Sequence, residues 1–451
     1  MPGARRGGYD GPAGKGALVP PGAPGEGRVD GKLAFAVESE VGRLEAVIVH
    51  RPGREVANMT PETVERALYG DILNLPAALA EYDELLGVLR RRARVLEVGD
   101  LLAEVLAEPV VAEPLVRRLC AAAGVPGVAA ELLGLPPAEL VRLLIEGVPL
   151  RPDNLSRFLS RERYSLPPLH NLFFMRDTAM VVGRHALAGN MASPVRGREA
   201  LLVEAVCRHH RGLATRPVNL RNVGADARGC GDGVVAIEGG DVLVAAPGVL
   251  VVGLGARTTR EAIDRLVEHF RREGATQHIV VQELPPSPAS FIHLDMVFTL
   301  LDRDCCLAYE PVIRRRHHFD TVHIHIEGGR VATIEEEDDL PTALARLGLE
   351  LEVVACGGRA DRWVQEREQW HSGANFFALG PGQVVGYGRN EATLEELARA
   401  GFAIVPARDV IDGVVDLDRT GRCVVTIASA ELARGGGGCR CLTLPVRRSP
   451  L

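Results

Sequence analysis

Apolar and polar positions divide the chain into two kinds of pattern. The run Leu44–Val49 (LEAVIV), stopped by Pro52 and Gly53, predicts a buried strand. Thr60-Pro61-Glu62 then predicts a helix start, with Thr60 as N-cap and Pro61 in the first helical position. Leu79, Tyr82, Leu85, Leu86 and Leu89 recur at helical spacing and mark one apolar face. Further apolar helices are predicted near 115–120, 129–133 and 138–145, punctuated by Pro and Gly. This block predicts a helical insertion at about 75–160.

After Pro167 a second pattern takes over: a short strand, a Gly- or Asp-containing turn, another strand, and often a helix. Copies lie at 171–183, 237–253, 293–309 and 375–388. A helix follows the first near 198–209. Another follows the second from Thr259, with Thr258-x-x-Glu261 as a capping box and Ile263, Leu266, Val267 and Phe270 on one face. The Leu44 strand and the segment 441–446 supply a fifth unit from the two ends of the domain. Repetition of a strand-rich module argues for a closed or radial array, in which polar residues at equivalent strand ends converge on the axis.

Composition sets limits on partners. The 451 residues are 46% apolar and 25% charged, with a formal net charge of −7, so neither nucleic acid nor an anionic membrane is expected as a partner. No run of eighteen apolar residues is present. The first thirty residues hold nine Gly and five Pro without an apolar core, which predicts a disordered tail over 1–32 rather than a signal peptide, ahead of a folded domain over 33–451. The nine cysteines are scattered and odd in number, the usage of a reducing, cytoplasmic compartment.

Several polar residues interrupt the apolar strands. Asp177, preceded by Arg176, needs a partner in such surroundings, or it caps a turn. Glu238-Gly239-Gly240-Asp241 places two acids around a Gly pair, and a hairpin turn accounts for it equally well. In a strand, His293 and Asp295 would share one face, a proton carrier beside a carboxylate. A metal site on this pair, or on His323 and His325, is the minor alternative; an exposed strand face explains the second pair. Cys441 follows the glycine-rich run 434–440, with Arg440 adjacent, as a nucleophile would; a buried structural thiol is the plainer account. Acids, one His and one Cys together suit a planar cationic carbon. Carboxylates grip a guanidinium in fork fashion and hold its carbon against a thiolate.

In sequence order the motifs are Ser39-Glu40-x-Gly42-Arg43-Leu44, Asn171-Leu172-x-Phe174-x-Arg176-Asp177, Glu238-Gly239-Gly240-Asp241, Arg257-Thr258, His293-Leu294-Asp295-x-Val297-Phe298, Arg367-Glu368-Gln369-Trp370, and the Gly-rich segment before Cys441. In this set and order the chain resembles arginine deiminase, of the guanidine-modifying superfamily. The resemblance implies an α/β fold, a five-bladed α/β propeller of pentein type with an inserted helical bundle. It implies Cys441 as nucleophile, His293 and Glu238 as proton carriers, and Asp177 and Asp295 as guanidinium ligands. Asn171, Phe174, Arg196, Arg257 and Asp241 fall where the family holds the rest of the substrate. Free L-arginine is the implied substrate, with citrulline and ammonia as products and with no cofactor and no metal. A homo-oligomer is left open.

The chain departs from the family pattern at three places. Gly436 stands where many members carry a second arginine. Leu68-Tyr69-Gly70-Asp71 replaces a usual Phe-Asp-Asp, and His371-Ser372 replaces acidic residues after Trp370. These changes keep alternatives in view: an amidinotransferase, a deiminase of a modified arginine, or a catalytically decayed binding protein on the same scaffold.

Overall fold

The apolar run Leu44–Val49 forms a buried strand that pairs antiparallel with Leu444–Arg448 and parallel with Arg94–Glu97. In the computed structural model, which describes residues 28–223, 233–314 and 319–451, this arrangement recurs four more times. His185–Ala188 lies between antiparallel Ala179–Val182 and parallel Arg216–Val218. Val249–Leu254 lies between Val242–Ala246 and Gln277–Glu283, in a sheet extended by Thr321–Glu327 and Arg330–Glu337. Cys305–Ala308 lies between Phe298–Asp302 and Glu352–Ala355, and Gln383–Tyr387 between Phe377–Gly380 and Cys423–Ile427. The fold is mixed α/β, as the sequence pattern indicated.

A parallel third strand requires a crossover, and helices supply it. Leu75–Arg92 joins the parallel strands of the first sheet, capped by Asn74, whose side chain accepts from the Ala77 amide. Tyr82, Leu85, Leu86 and Leu89 of this helix are buried, as its apolar face predicted. Gly197–His209 and Arg260–Glu273 serve the second and third sheets. Four further helices, Val98–Leu106, Pro109–Ala122, Ala129–Leu133 and Pro137–Glu146, share a core with Gly197–His209. Among the described residues no helix is long and apolar enough to cross a membrane.

Local details differ from expectation in several places. After Thr60 the chain makes turns over 61–68, where Leu68 takes a positive φ of 67°, and no regular helix forms until Leu75. The cap of Arg260–Glu273 is Thr259, whose hydroxyl accepts from the Ala262 amide. Thr258 is buried and accepts instead from the Glu238 amide. Residues 294–296 form a 3-10 turn and not a strand. His323 and His325 are half-buried and ring-stacked, not an exposed strand face. Of the expected tail, 1–27 lie outside the described residues, while Arg28–Val29 pairs with Lys32–Ala34.

One local feature repeats with the sheets. A tight turn precedes each first strand: Met175–Thr178, Gly239–Asp241, Leu294–Met296, and the turns at 371–374 and 439–442. Each turn carries or adjoins a buried polar residue: Asp177, Glu238, Asp295, Asn375 and Cys441.

Candidate active site

These five turns bring together side chains that lie hundreds of residues apart. The Cys441 Sγ lies 3.9 and 4.0 Å from the two Asp295 oxygens. The His293 Nε2 is 2.9 Å from a Glu238 oxygen, and its Nδ1 is 3.7 Å from Asp177 Oδ1. All five residues are buried. Gly240 makes the approach possible: a Cβ there would lie 2.6 Å from the His293 ring. The second oxygen of Glu238 accepts from the Ala192 amide at 3.0 Å and faces Arg257 at 3.6 Å. Asp241 accepts from the Leu294 amide at 2.8 Å, so it holds the turn that carries His293 and Asp295.

Burial alone would discharge this cluster, and its internal pairing decides otherwise. Burial opposes the His293 charge, but Asp177 and the Glu238 hydrogen bond hold its pKa up at about 9. Against the same burial, the His293 bond and charge hold Glu238 down at about 2. Burial pushes the Cys441 thiol well above its ordinary value, and the Asp295 and Asp177 charges push it further. Burial also raises Asp295, against the pull of Arg440, and takes Asp241 to about 7. At neutral pH the site therefore rests as a thiol beside an imidazolium.

Arg196 is fully engaged. Its Nη1 donates to Asp177 at 2.5 Å, its Nε to Glu199 at 2.9 Å, and its Nη2 to the carbonyls of Asn171 and Phe174. Asp177 Oδ1 and Arg257 Nη1 are buried without a hydrogen-bond partner. Tyr82, Asn190 and Ser429 also bury unpartnered polar atoms elsewhere, so these two gain their meaning from their place in the cluster. The Asn171 side chain donates to the Ala67 carbonyl, and the Phe174 ring packs on Phe173 with centroids 4.2 Å apart.

Sequence reasoning gave no positioning role to three residues that have one. Arg440 donates to Asp295 at 2.7 Å and grips Glu40 through two nitrogens at 3.0 and 3.1 Å. Asn375 accepts from the Arg440 and Cys441 amides and donates to the Asp295 carbonyl, clamping two turns together. Gln369 donates to the carbonyls of Ser290 and Met296. A signal for Asn375 was present, because it opens the fourth repeat as Asn171 opens the first.

The family departures have local explanations. Gly436 has a φ of +81°, a left-handed conformation that suits glycine. Arg434 pairs with Asp71 at 2.5 Å and with Glu431, on the half-exposed rim. Tyr69 donates to the His170 carbonyl at 2.7 Å.

Asp177, Glu238 and His293 offer ligand atoms within 4.8 Å of one another, enough in principle for a metal ion. Their pairing argues for another use. Arg196 already neutralises Asp177, and the His293 ring is engaged by Glu238. The set places two carboxylates and an imidazole in one buried cluster with the Cys441 thiol.

Residues 141–448 match the family model described as arginine deiminase. The arginine deiminase of Limosilactobacillus fermentum is 31% identical over 430 residues, covering 92% of this chain and 98% of that one. That of Mycoplasma capricolum subsp. capricolum is 31% identical over 426 residues, covering 92% and 97%. The N-terminal domain of ArgZ, an arginine dihydrolase bound to its substrate, superposes with a TM-score of 0.48 at 13% identity, over 90% of this chain and 99% of that domain. With a family model matched over most of its length and relatives aligned nearly end to end, the chain belongs to the arginine deiminase family.

Proposed function

We propose that this protein hydrolyses free L-arginine to L-citrulline and ammonia through a covalent S-alkylthiouronium on Cys441. Family membership supports the reaction. The observation that carries the residue assignment is the Cys441 thiol within 4.0 Å of the Asp295 carboxylate, in one buried cluster with Asp177 and the His293–Glu238 pair.

The substrate guanidinium enters as a planar cation and sits between Asp177 and Asp295, donating to their oxygens. Its positive charge offsets the two carboxylates that raise the Cys441 thiol, so binding displaces the thiol proton to solvent and leaves the thiolate, while His293 keeps its own proton. The thiolate attacks the guanidinium carbon. The tetrahedral adduct expels ammonia, which takes its proton from His293. Water then attacks the thiouronium carbon, losing a proton to neutral His293 beside Glu238. Collapse of this second adduct returns the Cys441 thiolate and releases citrulline. One hard displacement is split into two easier ones. Every step is supplied by side chains of this chain.

Arg257, whose Nη1 faces Glu238 at 3.6 Å but makes no hydrogen bond, is the group we assign to the α-carboxylate. Arg196 could share it only by exchanging one of its present acceptors. Asn171, Phe174 and Asp241 shape and brace the seat. We read the five similar sheets as blades of a closed α/β propeller, with the helices after Glu97 as the insertion, in a cytoplasmic enzyme. A panel of arginine, agmatine, N-methylarginines and N-hydroxyarginine, with ammonia and citrulline measured, tests the function. Transfer of the amidino group to an amine, without release of citrulline and ammonia, would replace it with the amidinotransferase reading.

A further inference from the structure

One of the two carboxylates assigned to the substrate guanidinium already holds a guanidinium of this chain. Asp177 Oδ2 accepts from Arg196 Nη1 at 2.5 Å. The other oxygen, Oδ1, has no hydrogen-bond partner and faces His293 Nδ1 at 3.7 Å. The Arg196 and Asp177 side chains are each 5% exposed. A planar cation from outside can fork onto Asp177 only once Nη1 has left, because the two-point grip needs both oxygens. Two guanidiniums crowded on one buried carboxylate would also repel each other with little water to screen them.

The setting of Arg196 allows it to let go. It ends the 3-10 turn Pro194–Arg196, and Glu199 stands in the first turn of the helix Gly197–His209 that follows. Glu199 Oε2 accepts from Arg196 Nε at 2.9 Å, and Oε1 accepts from the Asn171 amide at 3.2 Å. The Glu199 side chain is 1% exposed. This second carboxylate stays with Arg196 when Nη1 moves, so release from Asp177 leaves no bare buried cation. Glu238 feels both arginines: Arg257 Nη1 lies 3.6 Å away, and the Arg196 charge also acts on it. A carboxylate arriving at Arg257 therefore comes within the field of Arg196 as well.

We propose that Arg196 is an internal stand-in for the substrate guanidinium, exchanged at Asp177 when the α-carboxylate of arginine arrives. The proposal rests on the arginine reading given above. On Asp177 one cation replaces another, and Arg196 gains the α-carboxylate in place of the carboxylate it gives up, so the buried charges stay paired. Agmatine brings the same guanidinium without the carboxylate. It must displace Arg196 and leaves Nη1 short of an acceptor. Selection for the far end of the substrate thus acts through competition for Asp177, and Arg196 is the residue that couples the two ends.

The test measures calorimetric binding of arginine and agmatine to the full chain carrying Cys441→Ala, which cannot form the covalent adduct. In parallel, kcat/KM is measured for both with Cys441 in place. Arg196→Gln vacates Asp177, which the His293 cation beside it keeps charged. Agmatine is expected to bind about tenfold or more tighter than to the parent, with kcat/KM rising in step. Arginine is expected to bind more weakly, since its carboxylate loses a cation. A residue that only contacts the carboxylate would leave agmatine unmoved, and a structural brace would weaken both ligands; either result overturns the proposal. If urea unfolding shows that Arg196→Gln does not fold, Arg196→Lys takes its place. A single ammonium cannot bridge Glu199 and Asp177 as the guanidinium fork does, so agmatine should again gain. The two levels fail separately. A parent that releases no citrulline from arginine removes the arginine reading, whereas normal turnover of arginine with no gain for agmatine in the variant removes the exchange alone.

Discussion

The guanidinium of Arg440 meets the carboxylate of Asp295 at 2.7 Å, on the same oxygen that lies 3.9 Å from the Cys441 sulfur. Neighbours in sequence, Arg440 and Cys441 thus converge on one acid, which the cation neutralises and which in turn suppresses the thiolate. Asp295→Asn should therefore have two opposite effects. Turnover should fall, with kcat/KM down by roughly 10²-fold or more, since a guanidinium ligand is lost. Alkylation of Cys441 by iodoacetamide, followed by mass spectrometry, should become faster at neutral pH, since a charge that raises the thiol is gone. A variant with near-normal kcat/KM would show that the guanidinium binds elsewhere. Removal of Arg440 should instead unfold the protein more easily, by about 3–5 kcal/mol in urea titration, because Asp295 and Glu40 would be left buried and unpaired.

The nucleophile assignment predicts a contrast between two cysteines two residues apart. Cys441→Ala should abolish turnover, while Cys439→Ala should retain much of it. Cys439 is fully buried, and burial pushes its thiol far up. Trapping arginine on the acid-quenched enzyme should place the covalent adduct on Cys441. An adduct on Cys439 or on Cys356 would refute the assignment.

His293 predicts the alkaline limb of the pH profile. As the proton donor to ammonia it must start protonated, and its pKa is held at about 9, so kcat/KM should decline as pH rises through about 9. Glu238→Gln removes one of the groups holding it up, so the limb should move toward lower pH. Stability follows the same sign. The His293 contribution is complete below the ordinary imidazole value and is lost as pH rises through about 9. The Glu238 contribution is complete above the ordinary carboxylate value and is lost as pH falls through about 2. Glu238→Gln with an unmoved alkaline limb would remove His293 from the acid role.

Substrate selection should rest on the α-carboxylate. Agmatine lacks it and would leave the half-buried Arg257 beside Glu238 without its partner, which supports a preference for arginine on the order of 10³-fold. Arg257→Gln should erase most of that preference by reducing activity on arginine alone. Gly436→Arg, which introduces the side chain that the family resemblance implies, meets a φ of +81° and should reduce stability by about 1 kcal/mol, whatever it does to KM. Gly436→Ala shares the backbone strain without the charge, so steady-state kinetics on the two variants separate contact from strain. Equal efficiency of the parent on arginine and agmatine would defeat the carboxylate reading.

The candidate residues of this cluster were named before any fold was seen, from local signals that left plainer accounts open and from the family resemblance, which alone supplied their roles. The strand runs, such as Leu44–Val49, and the helical face through Tyr82, Leu85 and Leu89 follow from short-range periodicity. The repeated module announced equivalent strand ends, and polar residues stranded in apolar runs singled out Asp177, Glu238, His293 and Asp295. Other matters depended on residues far apart. Glu40 and Arg440, 400 positions apart, meet only because the first sheet joins the two ends of the domain. Whether Arg196 faces solvent, substrate or Asp177 depends on where the turn Met175–Thr178 is held, and sequence spacing carries no such distance. The alternation that seemed to pair His293 with Asp295 is absent, since a 3-10 turn presents both. Local sequence determined which chemical groups and which elements this protein has. Tertiary structure decided their protonation, because burial and opposing charges from distant segments set whether Cys441 rests as a thiol and His293 as a cation.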